Sequence, residues 1–396
     1  MSTPRPRYNI AYLTLNGRIP STSANSVGVM TMCGQFAHQG LDTLLLIPDG
    51  QGTPLRQLGN ARDVFDFYSV ASPFELRRFP NAMSGRMSRL ASPYALAMVL
   101  YVRARGFTLI TTRSLEVAVW AARIGVPVIL ESHNFSKFEH HRMIDGWVKL
   151  TQDTRHAVSM VVTTEAGKHS YMRIGVPEDR VRVLPNGVNT DRFSRTETQD
   201  ALRVELKLPT DTPIVAFSGS LHEGRGGEEM LDCAALLPEV QVLIVGGTPG
   251  DVERYRGEAK RRDLRNVHLT GHVDQATLPK YLLAADVLLM PYTTRFSAHS
   301  FEYTSPMKMF EYLATGRPIV ATDFPILHEV LENERNALFV PPDSGEALAH
   351  GVQRLLHDAA LAQRIGATAK ADSRRYAWPA RAAAVIEWQR TLGHLA

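Results

Sequence analysis

The feature that most constrains this chain is the regular return of short, continuous apolar runs with helix-length segments between them. In the first half these are "YNIAYLTL" (8–15), "DTLLLIP" (42–48), "FTLITT" (107–112), "VPVILES" (126–132), "SMVVTT" (159–164) and "VRVLP" (181–185). The second half repeats the scheme with "PIVAFSG" (213–219), "VQVLIVGG" (240–247), "NVHLTG" (266–271), "DVLLMPY" (286–292), "RPIVAT" (317–322) and "NALFV" (336–340). Runs of this kind, without polar alternation, suit parallel strands covered on both faces by helices. The pattern predicts two doubly wound α/β domains in tandem.

At 396 residues and 44% hydrophobic content the chain can fill two ordinary cores. The domain boundary is expected in "LPNGVNTDRFSRTETQD", where turn formers cluster. This gives an N-terminal Rossmann-like domain over 1–190, a C-terminal one over 191–375, and a final amphipathic helix over 376–396. Ligands of open α/β sheets bind beyond the carboxyl ends of the strands, so the functional site is expected in a cleft between the domains.

Two cysteines, Cys33 and Cys233, far apart in apolar helical contexts, suggest neither a disulfide framework nor a thiolate metal site and fit a cytoplasmic protein. No run approaches the roughly 18 apolar residues of a membrane span, and the N-terminal apolar run is too short for a signal peptide. Charge is uneven: residues 1–190 hold 21 Lys and Arg against 13 Asp and Glu, a balance of +8, while the rest of the +4 chain carries −4. A basic first half suits an anionic partner such as a phospholipid surface, a lipid phosphate or an acidic glycan.

In "SPMKMFEYLATGRPIVATD" (305–323), Ser305 is a good N-cap and Pro306 fits the first helical position. Lys308 then falls in the first turn, where a cation opposes the helix dipole unless an anion such as a diphosphate already sits there. Glu311 follows at contact spacing and, ionised, accepts hydrogen bonds as a ribose diol requires. The plainer alternative is an exposed Lys308–Glu311 ion pair worth about 0.3 kcal/mol. "FSGSLHEGRGGEE" (217–229) is a strand, a glycine-bearing loop and a helix start, with Arg225 as a forked phosphate donor. It is no Walker A motif, because Arg225 and Gly226 stand where Lys and Ser or Thr would be needed. The absence of G-x-G-x-x-G after either first strand argues against a dehydrogenase. In "ESHNFSKFEHH" (131–141), the spacing of His133, His140 and His141 matches no common zinc pattern. His133 stands apart from the other two at a strand end, where cleft residues belong.

Taken together, "SPMKMFEYLATGRPIVATD", "GSLHEGRGG", "VTTEAGKHSYMRIGVPEDRVRVLPNGVNTDRF" and "GHVDQATLPKYLLAADVLLMPY" resemble the retaining GT-B glycosyltransferases of family four over nearly the whole chain. The resemblance implies two Rossmann-like doubly wound domains facing an interdomain cleft, and no cofactor or metal beyond a nucleotide diphosphate sugar donor. It casts His133, Arg225 and Lys308 as catalytic groups. It places the donor against Glu311, Tyr303, Thr304, Ser305, Met307, Ser220, His272, Val273, Asn25 and Gly28. Three positions depart from the family: Tyr303 stands eight before Glu311 where a Glu is usual, with Glu302 out of register; Ser220 replaces an Arg; and Ser23-Ala24 align with a Gly-Gly loop.

The activity so implied is retaining sugar transfer to an acceptor hydroxyl in glycan or glycolipid synthesis. The acceptor is expected to be anionic or lipid-linked, with peripheral contact between the basic domain and the inner membrane face and no part for nucleic acid. The competing readings are a sugar-nucleotide epimerase or hydrolase on the same fold, and a catalytically decayed nucleotide-sugar-binding subunit.

Overall fold

The computed structural model describes residues 9–15, 17–50, 62–80, 87–295 and 303–395. Glu302 lies outside them. The chain forms two compact units. The first comprises Met1–Asn186, Tyr303–Ser305 and Trp378–Ala396; the second comprises Gly187–Glu302 and Pro306–Ala377.

The first unit is built on seven parallel strands in the order β3-β2-β1-β4-β5-β6-β7. These are β1 (Asn9–Leu13), β2 (Asp42–Pro48), β3 (Glu75–Phe79), β4 (Leu109–Thr112), β5 (Val128–Ser132), β6 (Val158–Val162) and β7 (Val181–Val183). Residues of β4, β5 and β6 are buried throughout, as expected of strands with helices on both faces. Sequence reading missed β3, "ELRRF", for a physical reason: it is a sheet edge, only partly buried, and carries exposed Arg77 and Arg78 rather than an apolar run.

The second unit has six parallel strands in the order β10-β9-β8-β11-β12-β13. They are β8 (Ile214–Ser218), β9 (Gln241–Val245), β10 (Val267–Gly271), β11 (Val287–Met290), β12 (Ile319–Thr322) and β13 (Leu338–Val340). Both units are therefore parallel-sheet α/β domains of the class the sequence predicts. Strand order reverses beside β1 and β8, and both β4 and β11 pair on the far side of their first strands. Such switch points open a crevice at the carboxyl edge of each sheet.

Helix Met307–Thr315 shows how sequence builds the site. Met309, Phe310, Leu313 and Ala314 recur at helical spacing and are buried against the second core. Full burial of each large side chain contributes about 1.5–3 kcal/mol, so the helix is held by its inner face. Gly316 ends it with a φ of 74°, a conformation glycine adopts without strain. The start differs from expectation by one residue. Pro306 is the N-cap and no side chain caps the helix. Ser305 is occupied elsewhere: its Oγ accepts from Asn186 N at 3.1 Å and its carbonyl accepts from Asn186 Nδ2 at 2.7 Å. Lys308 is thus the second helical residue, in a first turn that no side chain caps.

Candidate functional site

The second unit gathers its cations at the carboxyl edge of its sheet. Past β8, the chain turns through Gly219 and reaches helix Gly227–Leu236, whose N-cap Gly226 has a φ of 77°. A Cβ on Gly226 would lie 1.8 Å from the Pro291 carbonyl oxygen, so only glycine lets this loop close on the segment after β11. Gly219 does the same for a side chain: a Cβ there would lie 3.0 Å from Lys308 Nζ. Loop and helix thereby bring Arg225 and Lys308 to one aromatic wall. Lys308 Nζ lies 3.8 Å from the Phe217 ring centre and 5.4 Å from that of Tyr292, and the Arg225 guanidinium lies 5.1 Å from the Tyr292 ring.

Lys308 Nζ is buried and has no hydrogen-bond partner. Burial pushes this ammonium well below its ordinary pKa and neighbouring Arg225 pushes the same way, against the pull of Glu311. The exposed Lys308–Glu311 ion pair offered by spacing alone does not form: Glu311 is half-buried, and no carboxylate among the described residues lies within ion-pair distance of Lys308. Burial raises the Glu311 carboxyl to about 7, although Arg192 and Lys308 pull it down. An ammonium driven toward neutrality in the first turn of an uncapped helix, with a carboxyl driven the same way one turn further on, is an arrangement that an anion at the helix start would complete. Rings at a cation of this kind add attraction while leaving its N–H donors unused.

Around this centre, Met307 is half-buried as the first residue of the helix, while Ser220 is exposed. His272 is exposed just past β10, Val273 packs against the second core, and Asp274 Oδ1 accepts from Ala276 N at 2.9 Å and Thr277 N at 2.7 Å, which fixes that loop. Arg192 donates to Gln275 Oε1 at 2.6 Å, tying the segment after the unit boundary to the same loop. Sequence reading did not single out Phe217, Tyr292 or Arg192. The two aromatics sit in or beside strand runs whose pattern reports burial but not what the rings face.

Other candidates lie in the first unit. Tyr303 is buried there, its ring 5.8 Å from that of Phe135 and its hydroxyl 3.2 Å from Ser170 Oγ. It fills core space where the family pattern has a carboxylate. Thr304 is half-buried, and Ser305 makes the bonds to Asn186 given above. Ser23 caps helix Ala24–His38 by accepting from Ser26 N, so the segment aligned with a Gly-Gly loop is a capped helix start. On that helix Asn25 is exposed and its Oδ1 accepts from Arg113, while a Cβ on Gly28 would come 3.4 Å from an Arg113 terminal nitrogen. His133 follows β5, with Nε2 3.1 Å from Glu131 Oε1. Burial and Arg113 push its imidazole down to about 4, so it is neutral at pH 7.

Two parallel-sheet α/β domains of this topology define a protein of the GT-B class. The chain belongs to the family 4, group 1 glycosyltransferases: residues 26–192 match the model described as Glycosyltransferase Family 4, and residues 212–358 match Glycosyl transferases group 1. Over 288 residues it is 27% identical to a D-inositol 3-phosphate glycosyltransferase of Xylanimonas cellulosilytica, a match covering 67% of each chain. Over 218 residues it is 30% identical to a phosphatidyl-myo-inositol mannosyltransferase of Mycobacterium tuberculosis, covering 53% of each. Anabaena HepE, solved in complex with UDP and glucose, superposes with a TM-score of 0.72 at 18% identity over 97% of this chain and 100% of that one.

Proposed function

We propose that the protein transfers a sugar, with retention at the anomeric carbon, from a nucleotide diphosphate sugar to the hydroxyl of an anionic acceptor. The observation that carries this reading is the buried, hydrogen-bond-free ammonium of Lys308 beside Arg225 at an uncapped helix start. The donor diphosphate is the missing partner. Glu311, ionised, accepts from the ribose hydroxyls, and backbone around His272 to Asp274 meets the base. HepE binds UDP on the same fold, which agrees with a nucleotide at this edge.

In the reaction the bond from the anomeric carbon to the diphosphate oxygen breaks and its electron pair stays on the diphosphate. The acceptor oxygen bonds that carbon from the same face, and its proton passes to a diphosphate oxygen. Negative charge grows on the leaving group, so Lys308, Arg225 and the helix N–H groups stabilise what appears in the transition state. Neutral His133 serves as a hydrogen-bonding contact to the sugar. These groups supply the positive charge that a metal ion supplies elsewhere, so turnover should survive chelation. The relatives' names, one an inositol phosphate and one a phosphatidylinositol acceptor, and the +8 balance of residues 1–190 suggest a phosphate-bearing polyol or lipid as acceptor.

Calorimetric titration of UDP, GDP, ADP and dTDP into the protein and into Glu311→Ala tests the reading. One diphosphate should bind selectively and lose affinity in the variant; turnover of the matching sugar nucleotides with inositol phosphate then tests transfer. If no diphosphate binds, the reading fails and a catalytically decayed subunit, in line with Tyr303 standing in the core, takes its place. Release of free or epimerised sugar at full rate without acceptor would mean a hydrolase or epimerase.

A further inference from the structure

The stretch Glu131-Ser132-His133 leaves β5 with alternating side chains, so Glu131 and His133 share one face while Ser132 turns to the other and accepts from Tyr171 OH at 2.8 Å. Glu131 is buried, and both its oxygens are occupied. Oε2 accepts from Tyr12 OH at 2.9 Å and Arg113 Nε at 3.0 Å, while Oε1 lies 2.6 Å from Arg381 Nη2 and 3.1 Å from His133 Nε2. Arg381 comes from helix Trp378–Thr391, 250 residues on from Glu131, and its Nε also donates to the Pro185 carbonyl at 2.8 Å. Arg381 therefore links the last helix both to the chain just past β7 and to Glu131, whose carboxylate lies beside the imidazole; the approach is one of charge and distance, because the buried His133 Nε2 makes no hydrogen bond of good geometry.

Such a buried triad of two guanidinium groups and one carboxylate is a poor way to gain stability, because desolvating three charges costs as much as the pairing returns. What it does supply is direction. Fork-shaped donors hold a carboxylate in one plane, and its fixed charge, 3.1 Å from Nε2, then favours one placement of the ring beside it. We propose that Arg381 and Glu131 are positioning residues for His133, so that the last helix, through one guanidinium, sets the orientation of the imidazole that the transferred sugar meets. This rests on the reading of His133 given under Proposed function. The groups facing Glu131 and His133 are Tyr12 of β1, Cys33 of helix Ala24–His38, Arg113 after β4 and Arg381 of the last helix. Burial opposes the Glu131 charge, yet Arg113 and Arg381 hold the carboxyl well below its usual range, so it stays ionised. Burial and Arg113 lower His133, Glu131 opposes them, and Arg381 adds to the lowering, which keeps the ring uncharged.

The test is Arg381→Met, with Arg381→Lys as the conservative partner, both in the full chain. Nitrogen-15 histidine spectra follow the His133 titration, and steady-state kinetics with the sugar nucleotide selected above give kcat and KM. Loss of the guanidinium removes a nearby cation, so His133 should titrate about one unit higher in Arg381→Met. kcat should fall about tenfold with its acidic limb moved upward, donor KM should change less than about twofold, and Arg381→Lys should recover part of kcat. A folded Arg381→Met with unchanged His133 titration overturns the proposal, as does a shifted titration with unchanged kcat. If Arg381→Met does not fold, the same spectra decide on Arg381→Lys and on the wild type, where a ring titrating at its ordinary pKa overturns it. If no sugar nucleotide turns over, the transferase reading has failed, and the spectra still report whether Arg381 orients the ring.

Discussion

Replacing Lys308 by Met separates what the site does for binding from what it does for stability. Met matches the length of the lysine stem, and its sulfur suits the Phe217 and Tyr292 rings that now face Nζ at 3.8 and 5.4 Å. A buried charged donor without partners costs about 1–3 kcal/mol or more, and the ring contact returns up to about 2 kcal/mol once desolvated. Release of a proton caps the remaining penalty, because burial already lowers the ammonium pKa. The balance predicts that Lys308→Met stabilises the second unit by about 1 kcal/mol, seen as a rise of about 2–4 °C in Tm for a domain of this size. A charge-assisted hydrogen bond to phosphate is worth about 1.5–3 kcal/mol, so the selected nucleoside diphosphate should bind roughly 10- to 100-fold more weakly. Calorimetry reads both quantities on one sample. A lower Tm together with unchanged nucleotide affinity would refute the reasoning, since Lys308 would then be a structural lysine whose rings and neighbours need its charge.

The remaining predictions draw on other parts of the molecule. Glu311, raised to about 7 from 4.5, binds its proton more tightly folded than unfolded. Its contribution to stability is therefore complete below the unfolded value and is lost as pH rises from 4.5 through about 7. In denaturation across that window Glu311→Gln, which keeps an uncharged side chain at every pH, should match the wild type below about 4.5 and become the more stable of the two as pH rises through about 7; a constant difference contradicts the assignment. Nucleotide affinity should rise as pH passes upward through 7 in the wild type and lose that dependence in Glu311→Gln. Gly226→Ala, which would drive a Cβ to 1.8 Å from the Pro291 oxygen at a positive φ, should cost about 2 kcal/mol or more in thermal unfolding. Arg203→Ala removes the 2.6 Å partner of Asp286 and the donor to the Ala284 carbonyl, while Gln199 and Ile214 N still donate to Asp286, and should cost about 1–3 kcal/mol in chemical denaturation.

What could be read from sequence followed the strength of each local signal. Twelve apolar runs marked twelve of the thirteen strands among the described residues: strands buried on both faces, such as β4, β5 and β6, write continuous hydrophobic stretches into the chain, whereas edge strand β3 with Arg77 and Arg78 writes none. Capping chemistry located helix Met307–Thr315 to within one residue. The slip arose because Ser305, a sound N-cap in isolation, bonds Asn186 instead, a partner 119 positions away. In the same way the spacing of Lys308 and Glu311 was compatible with a surface ion pair or a ligand site. Only the fold removed the first option, by burying the lysine nitrogen against Phe217 and Tyr292.

The sequence by itself determined the two α/β domains, the family, and the residues Arg225, Lys308, Glu311 and His133 as candidates, since periodicity and motif spacing are properties of neighbours along the chain. The tertiary structure alone decided their environments: the aromatic wall under Lys308, the carboxyl of Glu311 raised by burial, Tyr303 committed to a core, and Arg381 set on Glu131 from the last helix. Desolvation and charge pairing act between groups that meet only after folding, and it is these that turn a list of polar residues into a site.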